Sequence, residues 1–366
     1  MMTKDLLSLP YPELSSQLAK MTREFIAKDL AKHGQALTPD LREGTGAYLL
    51  RGGKCLRPVL LLLSALAAGA SEVESLLPAA AGVECYHTGT LVHDDIIDHD
   101  TLRRGQATVH ALIANACPQR HPRLFRPQAE DFGVATAILA GDLLYANSSR
   151  LLAQVPGVSP EVLLSILRCQ NGILIPELLQ GEQLDVELET KRIEEVEMAE
   201  VLQMNRLKTG ALLAFAAKVG VALGSQTPVE ASPLAEKLGK AVEDAGVAFQ
   251  LQDDYLGLFG DEQQLGKPIG SDLREGKITP LILYAWQNAS TDAREKLVQI
   301  IGNKELTLEN IAFVQQLVQQ TGALAHIQEM AMSLTAAAQE AFRQIPVPEV
   351  SPLLLAWLNS LLKRSK

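Results

Sequence analysis

Apolar positions recur at three- and four-residue intervals through long stretches of this chain, and they rarely alternate as a half-buried strand requires. The spacing predicts a series of helices over Pro12–His33, Leu41–Leu50, a restart near Pro58, Asp131–Leu152, Pro160–Glu189, Ile193–Leu223 and Pro233–Phe259. Three or four more fit between Pro280 and Ser365. Gly52-Gly53 interrupts the second and third of these, and Pro58 suits a first turn because its missing N–H would lack a helical partner anyway. Ser71-Glu72-Val73-Glu74 reads as a capping box opening a helix over Glu72–Asp98. Cys117–Gln128, with three prolines, reads as an exposed loop, most simply a tolerated surface insertion. With no low-complexity linker and no fixed repeat, residues 1–366 are expected to form a single all-α domain.

Composition sharpens this. Of 366 residues 47% are apolar and only 4% aromatic, so the core is built of Leu and Ala, which lose little entropy in a helix. The formal net charge of −10 argues against nucleic acid as a partner, since a phosphate-backbone binder carries a basic face. It does not exclude a phosphorylated substrate bridged by metal ions. Cys55, Cys85, Cys117 and Cys169 are widely spaced, with no CxxC pair, and read as buried hydrophobes in a reducing compartment. The N-terminus lacks the form of a secretory signal. The longest uncharged run, Pro58–Ser71, falls short of the roughly 20 residues that span a bilayer. A soluble, cytoplasmic protein without a transmembrane segment is expected.

Charged residues carry the chemistry. In LVHDDIIDHDTLRRGQAT, Leu91–Thr108, Asp94 and Asp98 lie one turn apart on one helix face with Asp95 beside them. Three carboxylates at an apolar helix end repel one another and suit Mg²⁺, which pairs one or two carboxylates with substrate phosphates. Arg103 and Arg104 follow, placed to grip diphosphate oxygens. A lone DDxxD arises by chance in roughly one chain of ten at this length. A second cluster changes those odds. GVAFQLQDDYLGLFGD, Gly246–Asp261, sets Asp253 and Asp254 toward a helix C-terminus, where the macrodipole opposes them. GKPIGSDLREGKITP follows, with Lys267, Asp272, Arg274 and Lys277. An acidic cluster followed by basic residues thus occurs twice, as two metal sites sandwiching one diphosphate would need.

These residues resemble the trans-type polyprenyl (isoprenyl) diphosphate synthases over most of the chain. GGKCLRP at Gly52–Pro58, DDIID with LRRG, GEQLD at Gly181–Asp185, KTG at Lys208–Gly210, FQLQDD at Phe249–Asp254 and GKPIGSD with GK occur in that family's order. The resemblance implies a helical bundle around a deep central cavity, usually a homodimer. It implies Mg²⁺, three ions per site, held by Asp94, Asp95, Asp98, Asp253 and Asp254. Arg103, Lys208, Thr209, Gln250, Lys267 and Lys277 would contact the allylic diphosphate. Lys54, Arg57, His87 and Arg104 would hold isopentenyl diphosphate. His87, which alone would read as structural, joins the site only through the resemblance. Cys55 stands where many members have Arg, an expected slight weakening of the outer diphosphate site. Gly257 stands in place of a third aspartate, with Asp261 one turn further on.

Product length in this family is set by side chains before the first aspartate cluster. Gly89 and Thr90 are small, so the upper floor is expected to be open, and Tyr86 is the first large residue on that face. Two turns give roughly 11–12 Å. The expected product is the C20 geranylgeranyl diphosphate, with C15 or C25 and longer as alternatives, and ordinary core packing as the other reading of Tyr86. A terpene cyclase would have no use for the GGKCLRP loop. A non-catalytic regulatory subunit of a heteromeric synthase would be expected to lose metal-binding aspartates.

Overall fold

The computed structural model describes residues 7–260 and 268–362, so Asp261 and Lys267 lie outside the described residues. The chain divides into two compact units, residues 1–168 with 218–235, and residues 169–217 with 236–366. Both are helical.

In the first unit α1 (Tyr11–His33), α2 (Pro39–Arg51), α3 (Leu56–Ala67) and α4 (Leu77–Ile97) precede a short hairpin, β1 (Leu102–Arg103) and β2 (Gln106–Ala107). Helices α5 (Val109–Arg120) and α6 (Arg126–Leu152) follow. Helices α4 and α6 make the most extensive contact, around a core that includes Val92, Ile113, Leu144 and Leu151. Helix α3 is buried on every side from Pro58 to Ala67, as its continuous apolar sequence requires. The 218–235 segment packs closely on it. A Cβ on Gly220 or Gly224 would stand 2.2 Å from the carbonyl oxygens of Leu61 and Ala65, so only glycine lets these backbones meet.

The second unit is a run of helices beginning near the end of α7 (Pro160–Cys169). A π turn at Gln170–Leu174 leads into α8 (Ile175–Thr190), then α9 (Met198–Asn205), a second π turn at Arg206–Gly210, and the start of α10 (Ala211–Ser225), whose residues from Lys218 on belong to the first unit. Helix α11 (Pro233–Phe259) is followed by α12 (Ser271–Glu275), α13 (Pro280–Gln287), α14 (Thr291–Ile300), α15 (Leu308–Gln320), α16 (Ala323–Arg343) and α17 (Ser351–Leu362). Val201, Val247, Leu251, Leu283, Val314 and Ile327 belong to one apolar core there.

Three expectations need correction. No side chain caps a helix at Ser71: a 3₁₀ turn at Glu74–Leu76 intervenes, and α4 begins at Leu77, next to Pro78, which supplies the first-turn proline. The proposed loop over Cys117–Gln128 shrinks to residues 121–125. Helix α5 carries Pro118 inside it and buries Cys117, while Arg126-Pro127 opens α6. From Pro280 on, the described residues form five α-helices rather than three or four. Two continuous helical runs, Pro160–Thr190 and Met198–Ser225, are long and apolar enough to cross a membrane by length and composition, and the latter is mostly buried in the protein.

Candidate active site

The hairpin organises the first acidic site. Its two-residue turn is Arg104-Gly105, with φ of 53° and 73°, and positive φ at both central positions is what a tight hairpin demands. Successive strand residues point to opposite faces. Arg103 therefore turns back to α4, where its Nε donates to Asp95 Oδ1 at 2.7 Å and its Nη2 to Asp94 Oδ2 at 3.0 Å. Arg104 points the other way, and its Nη1 donates to the Gly52 carbonyl at 3.3 Å. Adjacent arginines thus serve an acidic cluster and a glycine loop.

The three aspartates are not equivalent. Asp95 is 0% exposed, and the Tyr48 hydroxyl donates to its Oδ2 while Arg103 holds Oδ1. Tyr48 in turn accepts from the Val109 amide at 3.2 Å. Burial and the hydrogen bond to Asp95 push the Tyr48 hydroxyl above its ordinary value, so it stays a donor. Asp98, at the end of α4, is exposed. This geometry sets Asp94 and Asp98 as the outward carboxylates and Asp95 as the anchor behind them. Nothing in the sequence pattern links Tyr48 to a residue 47 positions on.

A second group gathers at the glycine loop. Lys54 is exposed and Cys55, at φ 48°, precedes α3, which presents Arg57. Arg57 Nη1 lies 3.1 Å from His87 Nε2. A guanidinium only donates, so Nε2 accepts and the imidazole proton sits on Nδ1. Arg57 Nε is buried with no hydrogen-bond partner among the described residues, an unusual state that an anionic ligand would relieve. Burial lowers Arg57 to about 10, against the pull of Glu84. Burial, together with Arg57, Arg104 and Arg103, drives His87 well below 6.5, so its ring is neutral. The unfolded chain therefore takes up a proton at His87 before the folded protein does. Stability is full above about pH 6.5 and declines as pH falls through that value. Denaturant titrations at pH 7.5 and 5.5 are expected to show His87→Gln losing roughly 1 kcal/mol less than the parent over that interval.

In the second unit, glycines bring three helical segments together. A Cβ on Gly181 would lie 2.6 Å from the Lys208 amide nitrogen, and one on Gly246 would lie 2.9 Å from Gly210 Cα. Lys208 and Thr209 sit in the π turn, an irregularity common at functional sites. Lys208 Nζ pairs with Asp185 at 2.6 Å and Glu182 at 3.0 Å, which fixes where its charge stands. Gln250 Nε2 donates to Asp254 Oδ1 at 3.2 Å, and Asp254 is 8% exposed. Asp254, Gly257, Asp272, Lys277 and Thr279 line one pocket. At Gly257, a Cβ would stand 2.9 Å from Asp272 Oδ2, so the carboxylate of Asp272 fills the room that a side chain at 257 would need. Lys277 pairs with Glu275 at 3.3 Å.

Among the described residues no three His, Cys, Asp or Glu side chains converge as a complete metal cage. Hard carboxylate oxygens in ones and twos fit Mg²⁺, which keeps waters and completes its shell with substrate phosphates.

The floor before Asp94 differs from expectation. Gly89 and Thr90 are small, but the space over Gly89 is taken by Tyr145 of α6, whose Cε1 lies 2.9 Å from where a Gly89 Cβ would be. The Tyr145 ring centroid is 4.8 Å from that of Tyr86, which is 3% exposed. Gly89 thus admits a neighbouring ring, and Tyr86 and Tyr145 together fill the space on that face.

Residues 39–320 match the polyprenyl synthetase family, and the chain belongs to that family. It is 33% identical over 338 residues to a geranylfarnesyl diphosphate synthase of Aeropyrum pernix, covering 90% of this chain and 96% of that one. It is 36% identical to a geranylgeranyl diphosphate synthase of Methanosarcina mazei, covering 77% and 76%. The crystal structure of geranylgeranyl pyrophosphate synthase from Corynebacterium glutamicum, complexed with isoprenyl diphosphate and magnesium, superposes with a TM-score of 0.82 at 31% identity, covering 95% and 99%.

Proposed function

We propose that this chain is a prenyltransferase that joins isopentenyl diphosphate head-to-tail, in trans, to an allylic diphosphate, with geranylgeranyl diphosphate (C20) as product. One observation carries the reading: the hairpin gives Arg103 to an aspartate cluster and Arg104 to a separate basic loop. An enzyme handling one diphosphate needs only the first; two diphosphates need both.

Asp94 and Asp98, backed by Asp95, and Asp253 and Asp254 would hold Mg²⁺ on the allylic diphosphate, three ions by family resemblance. The bound ions supply positive charge that makes the diphosphate a better leaving group. Arg103, Lys208, Thr209 and Gln250 orient that group, with Lys277 beside them; Lys267 keeps its assignment by resemblance alone. Lys54, Arg57 and Arg104 hold isopentenyl diphosphate while neutral His87 offers its Nδ1 proton. Holding both reactants converts a bimolecular attack into a local one. As the allylic C1–O bond breaks, the isopentenyl double bond attacks C1, and a proton leaves C2 for the released diphosphate. Apolar helix faces exclude water that would quench the cation.

Longer products are the second reading, favoured by the name of the Aeropyrum pernix relative. A non-catalytic regulatory subunit is disfavoured because both aspartate pairs are kept. We also take the protein to be a soluble, cytoplasmic homodimer. Ile138 and Leu139, 44% and 57% exposed on α6, are apolar surface that a second copy would cover.

The test is a product assay with Mg²⁺, labelled isopentenyl diphosphate and each allylic primer in turn, read by mass spectrometry. A C20 product is expected. A longer series would keep the reaction and discard the length, while no elongation with any primer would favour the regulatory subunit.

A further inference from the structure

Arg23 belongs to none of the motifs, yet it reaches the glycine loop from α1. Its Nη1 donates to the Gly53 carbonyl at 2.9 Å and lies 3.9 Å from Cys55 Sγ. Arg104 grips the same loop through the Gly52 carbonyl at 3.3 Å. Beneath them the partly buried Glu84 on α4 is attracted by Arg57, Arg104 and Arg23 and hydrogen-bonds the Cys55 thiol. Cys55 adds no charge, because burial and Glu84 push its thiol up to about 12.

Three guanidiniums therefore act on one carboxylate. Like charges drawn together in a partly buried place repel unless an anion joins them. A loop carbonyl does not require an arginine, since water or a neutral amide would satisfy it as well. The Arg23 contacts described use Nη1, whereas a guanidinium carries five N–H donors in a fixed fork that matches phosphate oxygens. The orphaned Nε of Arg57 marks the same neighbourhood as awaiting an acceptor.

We propose that Arg23 is a further binding residue of the isopentenyl diphosphate site, donating to the diphosphate while its Nη1 steadies the Gly53 carbonyl. This rests on the assignment of Lys54, Arg57, His87 and Arg104 to that substrate.

The test compares Arg23→Gln, which removes the charge but keeps an amide donor for Gly53, with Arg23→Lys and Arg57→Gln. Isopentenyl diphosphate binding is measured by calorimetry, alongside KM for each substrate, kcat and Tm. For Arg23→Gln, isopentenyl diphosphate affinity and KM are expected to weaken about tenfold, the loss of one charge-assisted contact. The allylic KM, kcat and Tm should stay within twofold or about a degree of the parent, with Arg23→Lys intermediate. Unchanged isopentenyl diphosphate binding in Arg23→Gln, with Arg57→Gln impaired, overturns the role of Arg23 alone. Both KM values and Tm moving together would make Arg23 a prop for the loop and also overturn it. If neither Arg57→Gln nor Arg23→Gln alters isopentenyl diphosphate binding, the assignment of the whole basic site fails.

Discussion

Asp94→Ala is expected to lower kcat by about 10²–10³, the usual loss when one preorganised group stabilising a developing charge is removed. Asp94 is one of two outward carboxylates at the end of α4, and Arg103 already neutralises one of its oxygens at 3.0 Å. On the proposed assignment, removing it takes away a metal ligand and half of the bracket that aims Arg103. Tyr48→Phe gives the contrast. It leaves both outward carboxylates but frees Asp95 from its hydroxyl partner, so the effect comes through a residue behind the ligands, about tenfold. Steady-state assays across Mg²⁺ concentrations separate the two: Tyr48→Phe should recover much of its rate at high Mg²⁺ and Asp94→Ala should not. Equal losses for both variants, unaffected by Mg²⁺, would remove the distinction drawn between Asp94 and Asp95.

The second large effect is on product length. Tyr86→Ala is expected to shift the main product from C20 to C25, and Tyr86→Ala with Tyr145→Ala to lengthen it further. The rings sit 4.8 Å apart, so deleting one leaves the other free to lean into the gap. The double variant should exceed the single ones by more than their separate effects, as neighbours sharing one space do. Tyr86 is 3% exposed, and its truncation should cost about 3–5 kcal/mol of stability, so products are measured at low temperature with folding checked by circular dichroism. An unchanged product series in the double variant would return both rings to ordinary core packing.

How much of this was visible in sequence differs by element. Long helices are legible because their apolar stripes repeat over many turns: the helix expected over Pro233–Phe259 matches at both ends. The hairpin is not, since two-residue strands are too short to show alternation, and Arg104 at φ 53° contradicts its own preference. The π turns at Gln170–Leu174 and Arg206–Gly210 arise from packing between helices and leave no periodic mark. Local motifs supplied the ionic residues of the site. Their partners were hidden because they come from elsewhere in the chain: Tyr48 for Asp95, Tyr145 for Tyr86, Arg23 for the glycine loop. The small size of Gly89 reads as vacancy, but a single chain stretch cannot tell empty space from space lent to a neighbour.

Arg103 and Arg104 are joined by a single peptide unit, whose ends cannot move independently by more than a few ångströms. A shift of the turn backbone that carries Arg103 away from Asp94 and Asp95 would also move Arg104 and its hold on the Gly52 carbonyl. Occupancy of one substrate's pocket would then be felt as a change in grip on the other, and thermodynamic linkage makes that influence equal in both directions. On the proposed assignment, two reactants that must arrive as a pair are handled by a seesaw one residue wide.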